Sequence, residues 1–327
     1  MLKSIPGQVI TVNGSVKHSQ VQHLQNIRNA VGLRQNLYNS IRKFFEEQNF
    51  LEVSTPVRVK APAQEEHINA LAAGQRFLRT SPELQMKQLL TAGYQKIYQM
   101  GPCFRKDETG PFHSPEFTML EWYRAESDCW ETLHDTGQLL LRCLRDLHAA
   151  SELQYRNHRV EINTDWRIMS VDEAFDTFTT TTTDSAIADN QFEELLVSQI
   201  LPAIDKTVPL ILYDFPVQLG GLARPKTSNT DRLERWELYI AGIEIANAYS
   251  ELTDHNEYLL SHQRASERRR QRQQEIYPED PDFIDASKHG IPASGGIAFG
   301  VDRWLMMLAD AKNLNEVIAF PEKLPEP

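Results

Sequence analysis

The sequence is poor in cysteine: among 327 residues, Cys103, Cys129 and Cys143 form an odd set without a Cys-x-x-Cys spacing. This pattern disfavours a disulfide framework and a structural zinc site, and it favours reduced thiols in a cytoplasmic protein. No apolar run reaches the length of a membrane span. Residues 1–14 lack the continuous apolar stretch of a secretory signal. We therefore expect neither a membrane protein nor a secreted one.

Positive charge is also scarce, since 34 Lys and Arg residues face 45 Asp and Glu residues and the net charge is −11. Proteins that mainly hold a long polyanion are usually basic, so the composition disfavours a nucleic-acid-binding protein. One exception is the basic run of Arg268, Arg269, Arg270 and Arg272, for which a solvated helix face is the simpler interpretation. Hydrophobic residues make up 41% of the chain, which indicates a packed core.

Hydrophobic periodicity predicts hairpins and helices. Apolar side chains recur at three- and four-residue steps over Leu33–Gln48, which predicts an amphipathic helix. Ser81 and Pro82 are typical of a helix start. Strands are predicted over residues 50–56, 76–79, 97–104, 116–123, 210–215, 235–240 and 243–251, helices over residues 82–92, 192–204 and 255–275, and a strand followed by a helix over residues 295–308. Strands in hairpins that outnumber the long helices predict an α+β fold with an antiparallel sheet.

Four segments combine charged side chains, aromatic rings and glycines. They are residues 80–83, residues 104–123, residues 237–252 and residues 295–303. The second segment contains a charged loop, Arg105–Pro115, between two predicted strands, and long hairpin tips usually bind ligands. The third segment spans a predicted strand pair around Gly242, and the fourth is rich in glycine.

These residue types suit the joining of a carboxylate to the α-phosphate of ATP. The two reactants repel each other, so cations must neutralise the phosphates. Arg105 and Arg303 carry fork-shaped donors that suit phosphate oxygens or stacking on a base. Glu237 and Glu244 lie on adjacent predicted strands and can converge on a hard cation such as Mg²⁺. Phe117 offers a flat face for adenine.

Other residues suit a basic amino acid as the second substrate. Glu83 and Glu251 supply negative charge, and Gly295, Gly296 and Gly300 allow close approach of a ligand to the backbone. Each residue has an alternative interpretation when taken alone. The alternatives are a surface ion pair for Arg105, a core position for Phe117 and Trp122, and an exposed position on a strand for Glu244 and Glu251.

Taken in order, the segments resemble the class II aminoacyl-tRNA synthetases. The second segment resembles motif 2, the fourth resembles motif 3, and Phe50–Pro56 resembles the end of motif 1. The runs HSPEFTMLEWY (residues 113–123) and EIANAYSEL (residues 244–252) resemble the lysyl branch specifically. The resemblance spans about residues 30–320. It implies a six-stranded antiparallel sheet flanked by helices, a homodimer built by motif 1, an N-terminal extension over residues 1–30 and a catalytic domain over residues 31–327.

The resemblance also implies residue roles. Arg105 and Arg303 are the expected catalytic groups: Arg105 contacts the α-phosphate, and Arg303 sandwiches adenine with Phe117. The expected metal ligands for Mg²⁺ are Glu237 and Glu244. The expected ATP-binding residues are Arg105, Lys106, Asp107, His113, Ser114, Phe117, Glu244, Ile245, Gly300 and Arg303. The expected amino-acid-binding residues are Ser81, Pro82, Glu83, Tyr123, Asn247, Tyr249, Glu251 and Ala298, with Glu251 facing the distal ammonium. The substrate carboxylate is itself the nucleophile, so catalysis rests on orientation and charge neutralisation.

The short N-terminal region narrows the resemblance further. Only about 30 residues precede motif 1, too few for the anticodon-binding barrel of a lysyl-tRNA synthetase. The chain therefore resembles the free-standing elongation factor P–(R)-β-lysine ligases, which form a β-lysyl-adenylate and transfer β-lysine to a lysine of elongation factor P. This implies ATP as co-substrate, (R)-β-lysine or lysine as amino acid, elongation factor P as acceptor, and no need to bind tRNA.

Several positions near the expected amino-acid site leave its substrate open. Ala298 stands where lysyl-tRNA synthetases typically have glycine and the ligases have alanine, and one methyl in a tight pocket shifts discrimination by roughly 1–3 kcal/mol. The alternative is that Ala298 only packs there. Departures from the ligase pattern are Lys106 and Asp107 for Asn-Glu, Ser114 for Asn, Ala248 for Gly and Tyr249 for Phe. A minimal enzyme with another amino acid or another acceptor, such as tRNA or a small amine, stays an alternative. The retained arginines and carboxylates argue against a non-catalytic paralogue.

Overall fold

The computed structural model describes residues 20–63, 65, 67–148, 150–163 and 165–322. Residues 1–19, which belong to the predicted N-terminal extension, lie outside the described residues, and the domain boundary at residue 31 stays a prediction. None of the helices in the described part of the chain combines the length and the apolar character that a membrane crossing requires.

The strands of the described residues form one large sheet and two small ones. In chain order they are β1 (Leu51–Glu52), β2 (Arg58–Val59), β3 (Ala72–Ala73), β4 (Arg76–Leu78), β5 (Lys96–Phe104), β6 (Glu116–Ala125), β7 (Glu152–Tyr155), β8 (His158–Glu161), β9 (Arg167–Ser170), β10 (Leu210–Tyr213), β11 (Arg235–Ile240), β12 (Ile243–Ser250) and β13 (Ser294–Gly300). The small sheets are β2-β4-β3 and the hairpin β7-β8.

The α-helices flank the large sheet. They are α1 (Gln20–Asn26), α2 (Arg28–Glu47), α3 (Glu83–Thr91), α4 (Cys129–His148), α5 (Val171–Phe178), α6 (Thr183–Ala188), α7 (Phe192–Leu195), α8 (Leu201–Ala203), α9 (His255–Gln271), α10 (Pro281–His289) and α11 (Val301–Leu308). A π-helical turn over Leu196–Ile200 joins α7 to α8, so the predicted helix over residues 192–204 is confirmed as one helical stretch.

The large sheet has eight strands in the order β1-β5-β6-β13-β12-β11-β10-β9. Neighbours from β5 to β10 pair antiparallel, as predicted. The predicted number of six strands was wrong, because two short edge strands extend the sheet: β1 pairs parallel with β5, and β9 pairs parallel with β10. The α+β class is confirmed.

One face of the large sheet packs on α2, α4 and α11 and forms the main core. Trp122 of β6, Trp236 of β11 and Trp304 of α11 are fully buried there. Phe45 of α2 stacks on Tyr98 of β5 with ring centroids 4.4 Å apart, which fixes the helix against the sheet. The opposite sheet face carries both polar groups and smaller apolar clusters.

A second apolar cluster covers one end of that opposite face. Phe175 of α5 and Phe192 of α7 stack with ring centroids 5.1 Å apart, and the cluster reaches Leu212 of β10 and Tyr239 of β11. Helices α5–α8 therefore border the polar face beside Tyr239.

Helix α3 begins within one residue of its predicted start. The helix begins at Glu83, one position after Pro82, and the Ser81 hydroxyl accepts the backbone N–H of Glu83 at 3.0 Å. Ser81 thus satisfies one of the free N–H groups at the helix start.

The basic run on α9 departs from its simple interpretation as a solvated face. Arg269 is buried, and its guanidinium donates to the carbonyls of Ile68 and Glu275 and to the Asn69 side chain, at 3.0, 2.6 and 2.9 Å. Arg269 thereby anchors the loop before β3, and the Asn69 carbonyl of that loop accepts the backbone N–H of Lys106 at 2.7 Å.

Candidate active site

Two cross-strand rows of residues occupy the polar face of the large sheet. Alternate residues of a strand face the same side, so register decides which side chains meet. The first row contains Tyr123, Gly296, Tyr249 and Arg235, and the second contains Glu121, Ala298, Asn247 and Glu237. Residues from three of the four segments singled out in the sequence therefore meet on four adjacent strands.

A buried ion triad lies at one end of these rows. Lys87 of α3 is fully buried, and its Nζ atom lies 2.6 Å from Glu83 Oε1 and in ion-pair contact with Glu251 Oε2. The Tyr249 hydroxyl donates to the same Glu83 oxygen at 2.5 Å. Glu251 Oε1 has no hydrogen-bond partner among the described residues, although the side chain is completely buried. A buried acceptor without a partner indicates a place for a ligand donor.

Glu121 adds a third carboxylate beside the triad. It is buried on β6 and accepts hydrogen bonds from the Ser81 hydroxyl and, at 3.0 Å, from the Tyr123 hydroxyl. Ser81 therefore connects the start of α3 to this carboxylate. The pocket collects three glutamates from α3, β6 and the end of β12, and one lysine.

Burial dominates the protonation of these groups. It raises the pKa of Glu251 to about 8, although the Lys87 ammonium opposes the shift. It also raises the pKa of Glu121 to about 8, against the two hydroxyl donors. Burial disfavours the charged form of Lys87, but the two carboxylates outweigh it and raise the pKa of the ammonium. The ligand-free pocket thus retains carboxyl protons at neutral pH.

Glycine is required at two of the positions of motif 3. A Cβ atom on Gly296 would lie 2.0 Å from Glu251 Oε1 and 2.4 Å from Tyr123 Cε1. A Cβ atom on Gly295 would lie 2.1 Å from the backbone oxygen of Asp128. Gly295 is therefore needed for chain packing, whereas Gly296 forms the floor under the pocket side chains.

Gly300 differs from these two glycines. A Cβ atom there would meet Arg303 Cδ at 3.5 Å and the Ile245 carbonyl at 3.6 Å, which are ordinary contacts. The chain itself does not require glycine at this position. The expected approach of Gly300 to ATP stays a prediction.

Arg303 ties the motif 2 hairpin to β12. Its guanidinium donates to the Phe112 carbonyl at 3.1 Å and to the Glu244 carbonyl at 2.8 Å, and it pairs with Glu244 Oε2 at 3.1 Å. The remaining terminal nitrogen lies 2.8 Å from His113 Nε2. Burial and the charge of Arg303 lower the pKa of His113, so the imidazole is neutral at pH 7 and its Nε2 accepts from Arg303. Predicted ATP-binding residues of three segments, His113, Glu244 and Arg303, meet here.

Arg105 has one buried donor without a partner among the described residues. Its guanidinium lies over the Phe117 ring, 5.3 Å from the centroid. Its ion pairs with Glu65 and Glu108 measure 3.9 and 3.7 Å, longer than hydrogen bonds, and its Nε is buried without a partner among the described residues. Buried donors without partners are costly, so this guanidinium is suited to a strong anionic acceptor.

The two predicted metal ligands lie on the β11–β12 hairpin. Register pairs Glu237 with Asn247 and Glu244 with Tyr239. Glu237 accepts from Arg235 at 2.5 Å and from the Tyr239 hydroxyl. Burial raises the pKa of Glu237 to about 7, and the charge of Glu244 adds to the shift. The two carboxylates therefore repel each other, as groups that share one cation do.

The other predicted ATP-binding residues lie around the hairpin tip. Lys106 and Asp107 are exposed, and Asp107 has a left-handed backbone with φ of 68°. Ser114 is half-buried at the base of the tip, and Ile245 is buried beneath Gly300. The long tip over residues 105–115 is confirmed, and it contacts β12 through Arg303.

Comparison with known families agrees with this architecture. The sequence pattern of the tRNA synthetases class II (D, K and N) family matches residues 16–324. The chain belongs to this family. The family assignment and the class II fold predicted from the motifs are thereby confirmed.

Individual relatives of this class II family member are similar over most of its length. A protein named elongation factor P–(R)-β-lysine ligase from Hamiltonella defensa subsp. Acyrthosiphon pisum (strain 5AT) is 37% identical over 311 residues, covering 88% of this chain and 93% of the relative. A protein of the same name from Yersinia enterocolitica is 36% identical over 298 residues, covering 86% and 91%. One from Yersinia pestis (strain Pestoides F) is 36% identical over 299 residues, also covering 86% and 91%.

Four polar residues of this class II site were not predicted from the sequence. Lys87, Glu121, Arg235 and Glu65 lie among the predicted groups. Glu121 lies inside the second predicted segment, and Arg235 lies just before the third. Each is two residues from a predicted site residue, Tyr123 or Glu237, so strand alternation was the signal that could have identified them. Lys87 lies four residues after Glu83 on the predicted helix, which was a weaker signal.

Proposed function

We propose that the protein activates (R)-β-lysine, or lysine, as an adenylate with ATP and transfers it to a lysine side chain of elongation factor P. The pocket of three buried glutamates beside an arginine with a buried donor that has no partner among the described residues is the observation that carries this proposal. The names of its relatives supply the acceptor and the β-isomer.

The charge of the pocket supports a substrate with two ammonium groups. Glu83, Glu121 and Glu251 carry three negative charges when ionised, and Lys87 carries one positive charge. Two substrate ammonium groups therefore make the pocket neutral, which a buried site requires. The single substrate carboxylate is left to face Arg105, outside this cluster.

Adenylate formation needs no enzymatic base, because the substrate carboxylate attacks the α-phosphorus of ATP and pyrophosphate leaves. Arg105 neutralises the charge that develops on the α-phosphate, and Arg303 orients the nucleotide between the hairpin tip and β12. In the second step the acceptor amine attacks the acyl carbon and AMP leaves. The remaining predicted residues, Lys106, Asp107, His113, Ser114 and Phe117, frame the nucleotide.

The residues on the β11–β12 hairpin fit a Mg²⁺ ion. Glu237 and Glu244 offer hard oxygen donors, and a cation between them removes the repulsion that raises the pKa of Glu237. When bound, Mg²⁺ neutralises phosphate charge. Arg235 and Arg303 hold the two carboxylates in place through the contacts at 2.5 and 3.1 Å.

Ala298 supports the distinction between the isomers. It lies between Glu121 and Asn247 in the second row, and its half-buried methyl borders the pocket. Such a methyl group shifts discrimination between similar substrates by roughly 1–3 kcal/mol. Ala248 is fully buried on the core side of β12, so its effect on the substrate is indirect.

The assembly and location follow the same proposal. Leu51 on the edge strand β1 and Val57 just after motif 1 are 51% and 37% exposed, which supports a homodimer through this edge. A translation factor as acceptor implies work in the cytoplasm. The net charge of −11 supports a protein acceptor over tRNA.

ATP–pyrophosphate exchange tests the proposal. We expect exchange with (R)-β-lysine above exchange with α-lysine, and none with a monoamino acid of similar length such as norleucine. Incorporation of labelled β-lysine into elongation factor P then tests the acceptor, with tRNA as the comparison. Exchange with no amino acid contradicts the enzyme assignment, and a preference for α-lysine contradicts the β-lysine assignment.

Amino-acid binding should strengthen as pH rises. Below about pH 8 the empty pocket holds protons on Glu121 and Glu251, and the doubly charged substrate must expel them. Each expelled proton raises kcat/KM for the amino acid about tenfold per pH unit, so the two together raise it about a hundredfold per unit below this range, with a plateau above it. Exchange assays from about pH 6 to about pH 9 measure the profile, with kcat/KM for ATP as the comparison. A flat profile, or binding that weakens as pH rises through this window, contradicts the prediction.

Replacing Gly296 with alanine should block the amino-acid pocket while leaving ATP binding unchanged. The new Cβ atom would lie 2.0 Å from Glu251 Oε1, so the carboxylate and the Tyr123 ring must move away from the substrate position. We expect KM for the amino acid to rise at least about tenfold, which is 1.4 kcal/mol. Gly32→Ala is the matched control, because a Cβ there meets nothing within 4 Å and Gly32 lies in α2, on the core side of the sheet. Unchanged amino-acid KM in Gly296→Ala contradicts the position of the pocket.

A further inference from the structure

Lys87 is a fully buried cation that the proposed reaction does not use. Its side chain reaches from α3 into the pocket, where it pairs with Glu83 Oε1 at 2.6 Å and with Glu251. Its Nζ atom also lies 5.4 Å from the centroid of the Tyr249 ring. A buried lysine is costly in free energy unless it is paired, so both carboxylates are needed to keep it there.

The two carboxylates belong to different parts of the fold. Glu83 lies in the first turn of α3, and Glu251 follows β12 at the end of the sheet. Lys87 contacts both, so a single ammonium ion sets how far apart the helix carboxylate and the sheet carboxylate lie. Glu251 keeps one buried oxygen, Oε1, without a partner in the described part of the chain.

Spacing between anionic groups matters for the proposed substrates. In α-lysine the two amino groups are on carbons 2 and 6, whereas in β-lysine they are on carbons 3 and 6. The two ammonium groups are therefore one carbon–carbon bond closer along the chain in β-lysine. A pocket with its carboxylates at a fixed separation discriminates between these isomers, since a misplaced ammonium leaves a buried carboxylate unpaired.

We infer that Lys87 is a positioning residue for substrate selection: its ammonium holds Glu83 and Glu251 at a fixed separation, and thereby sets the spacing of the two substrate ammonium groups. This inference rests on the proposed function and names the residue that determines its amino-acid preference. Lys87 is also protected from the acyl group, because an ammonium ion held by two carboxylates lacks the free electron pair needed to attack the adenylate.

The surroundings of Lys87 are rich in groups that titrate. The charged and titratable side chains that face the triad are Glu65 of the preceding loop, Glu83 of α3, Glu121 and Tyr123 of β6, and Tyr249 and Glu251 of β12. None of these six side chains carries a positive charge, in contrast to Lys87. Removal of Lys87 therefore leaves the carboxylates without a cation and favours their protonated forms.

The test replaces Lys87 with methionine, which keeps the length of the side chain and removes its charge. ATP–pyrophosphate exchange is measured with (R)-β-lysine and with α-lysine. We expect KM for β-lysine at pH 7 to rise at least about tenfold, and the preference between the isomers to fall toward equality. The pH at which KM levels off should move upward by more than about one unit. KM for ATP should stay within about twofold. Lys60→Met is the matched control, because Lys60 pairs at 2.5 Å with the exposed Asp282, outside the pocket.

If Lys87→Met does not fold, the same substitution is tested in a second variant of the protein. The same substitution is made in Glu83→Gln, where one buried carboxylate fewer is left unpaired, and the double variant is compared with Glu83→Gln alone. A further rise in KM for β-lysine and a further loss of isomer preference support the inference. A lower melting temperature with unchanged KM, isomer preference and pH profile overturns it and leaves Lys87 a structural residue. A wild-type enzyme that exchanges with neither isomer overturns the proposed function, and this inference with it.

Discussion

Replacing Arg105 with alanine is expected to slow adenylate formation by about 10²–10³, which corresponds to about 2.7–4 kcal/mol of transition-state stabilisation. The guanidinium lies over Phe117 at 5.3 Å and has a buried Nε without a partner among the described residues. Its nearest carboxylates, Glu65 and Glu108, are 3.9 and 3.7 Å away, beyond hydrogen-bond distance. These contacts are the basis for expecting that Arg105 binds the α-phosphate.

Single-turnover formation of the adenylate measures this effect, with KM for the amino acid recorded in the same assay. Arg105→Lys keeps the charge and loses the fork, so it should recover only part of the rate. Arg159→Ala is the matched control: the exposed Arg159 pairs with Glu152 across the β7–β8 hairpin, and its loss should not change the rate. Equal rates for Arg105→Ala and the wild type contradict the phosphate role.

Arg105 also has two acidic neighbours, Glu65 and Glu108, that affect its charge. Together they partly neutralise Arg105 while the nucleotide is absent, and Glu65 sits in the loop that Arg269 anchors. If Arg105 binds the phosphate as proposed, ATP competes with these two carboxylates for its guanidinium. The rate loss in Arg105→Ala therefore measures the phosphate contact minus the contacts with Glu65 and Glu108 that it replaces. This loss is smaller than the free energy of the arginine–phosphate contact itself.

Much of the site was predictable because class II motifs keep chemistry-bearing residues in short runs. Arg105, His113 and Phe117 lie on one hairpin, and the strand pair with Glu237 and Glu244 was visible from hydrophobic alternation around Gly242. The structure places these groups near one another as the motifs implied. Their individual roles stay predictions.

Lys87 and Glu121 show where local patterns fail. Glu83 and Lys87 are four residues apart on a helix, a spacing that usually marks a solvated ion pair on a helix surface. Here α3 presents that pair to β6 and β12, and both side chains are buried. Burial of a charge depends on neighbours distant in sequence, which periodicity along one helix does not report.

Helix α4 and the edge strand β9 were missed for related reasons, whereas β1 lies within the strand predicted over residues 50–56. The buried residues in the first half of α4 are Cys129, Thr132, Asp135 and Thr136, and because three of these four are polar this half lacks an apolar period. Asp135 is buried because it pairs with Arg124 of β6 through two contacts of 2.6 Å. Strands β1 and β9 are short and pair parallel with distant partners, so neither carries a hairpin signal.

Glu251→Gln should cost about 2–5 kcal/mol in kcat/KM for the diamino acid, the usual loss when one partner of a buried charge pair is removed. Glu251 is completely buried, and its Oε1 has no partner among the described residues, so the carboxylate is available for the distal ammonium. Glutamine keeps the shape and places an amide donor group where a negative charge is needed. Lys87 retains Glu83 at 2.6 Å, so we expect the variant to fold.

Exchange assays with (R)-β-lysine and norleucine separate loss of charge recognition from general damage. The variant should lose its preference for the diamino acid, while KM for ATP stays within about twofold. The pH dependence that Glu251 contributes should also disappear, because its pKa of about 8 belongs to a carboxyl group that the variant lacks. Glu257→Gln, an exposed glutamate in the first turn of α9, is the matched control. Retained preference for the diamino acid in Glu251→Gln would show that the distal ammonium binds elsewhere, with Glu121 of the same pocket as the next candidate.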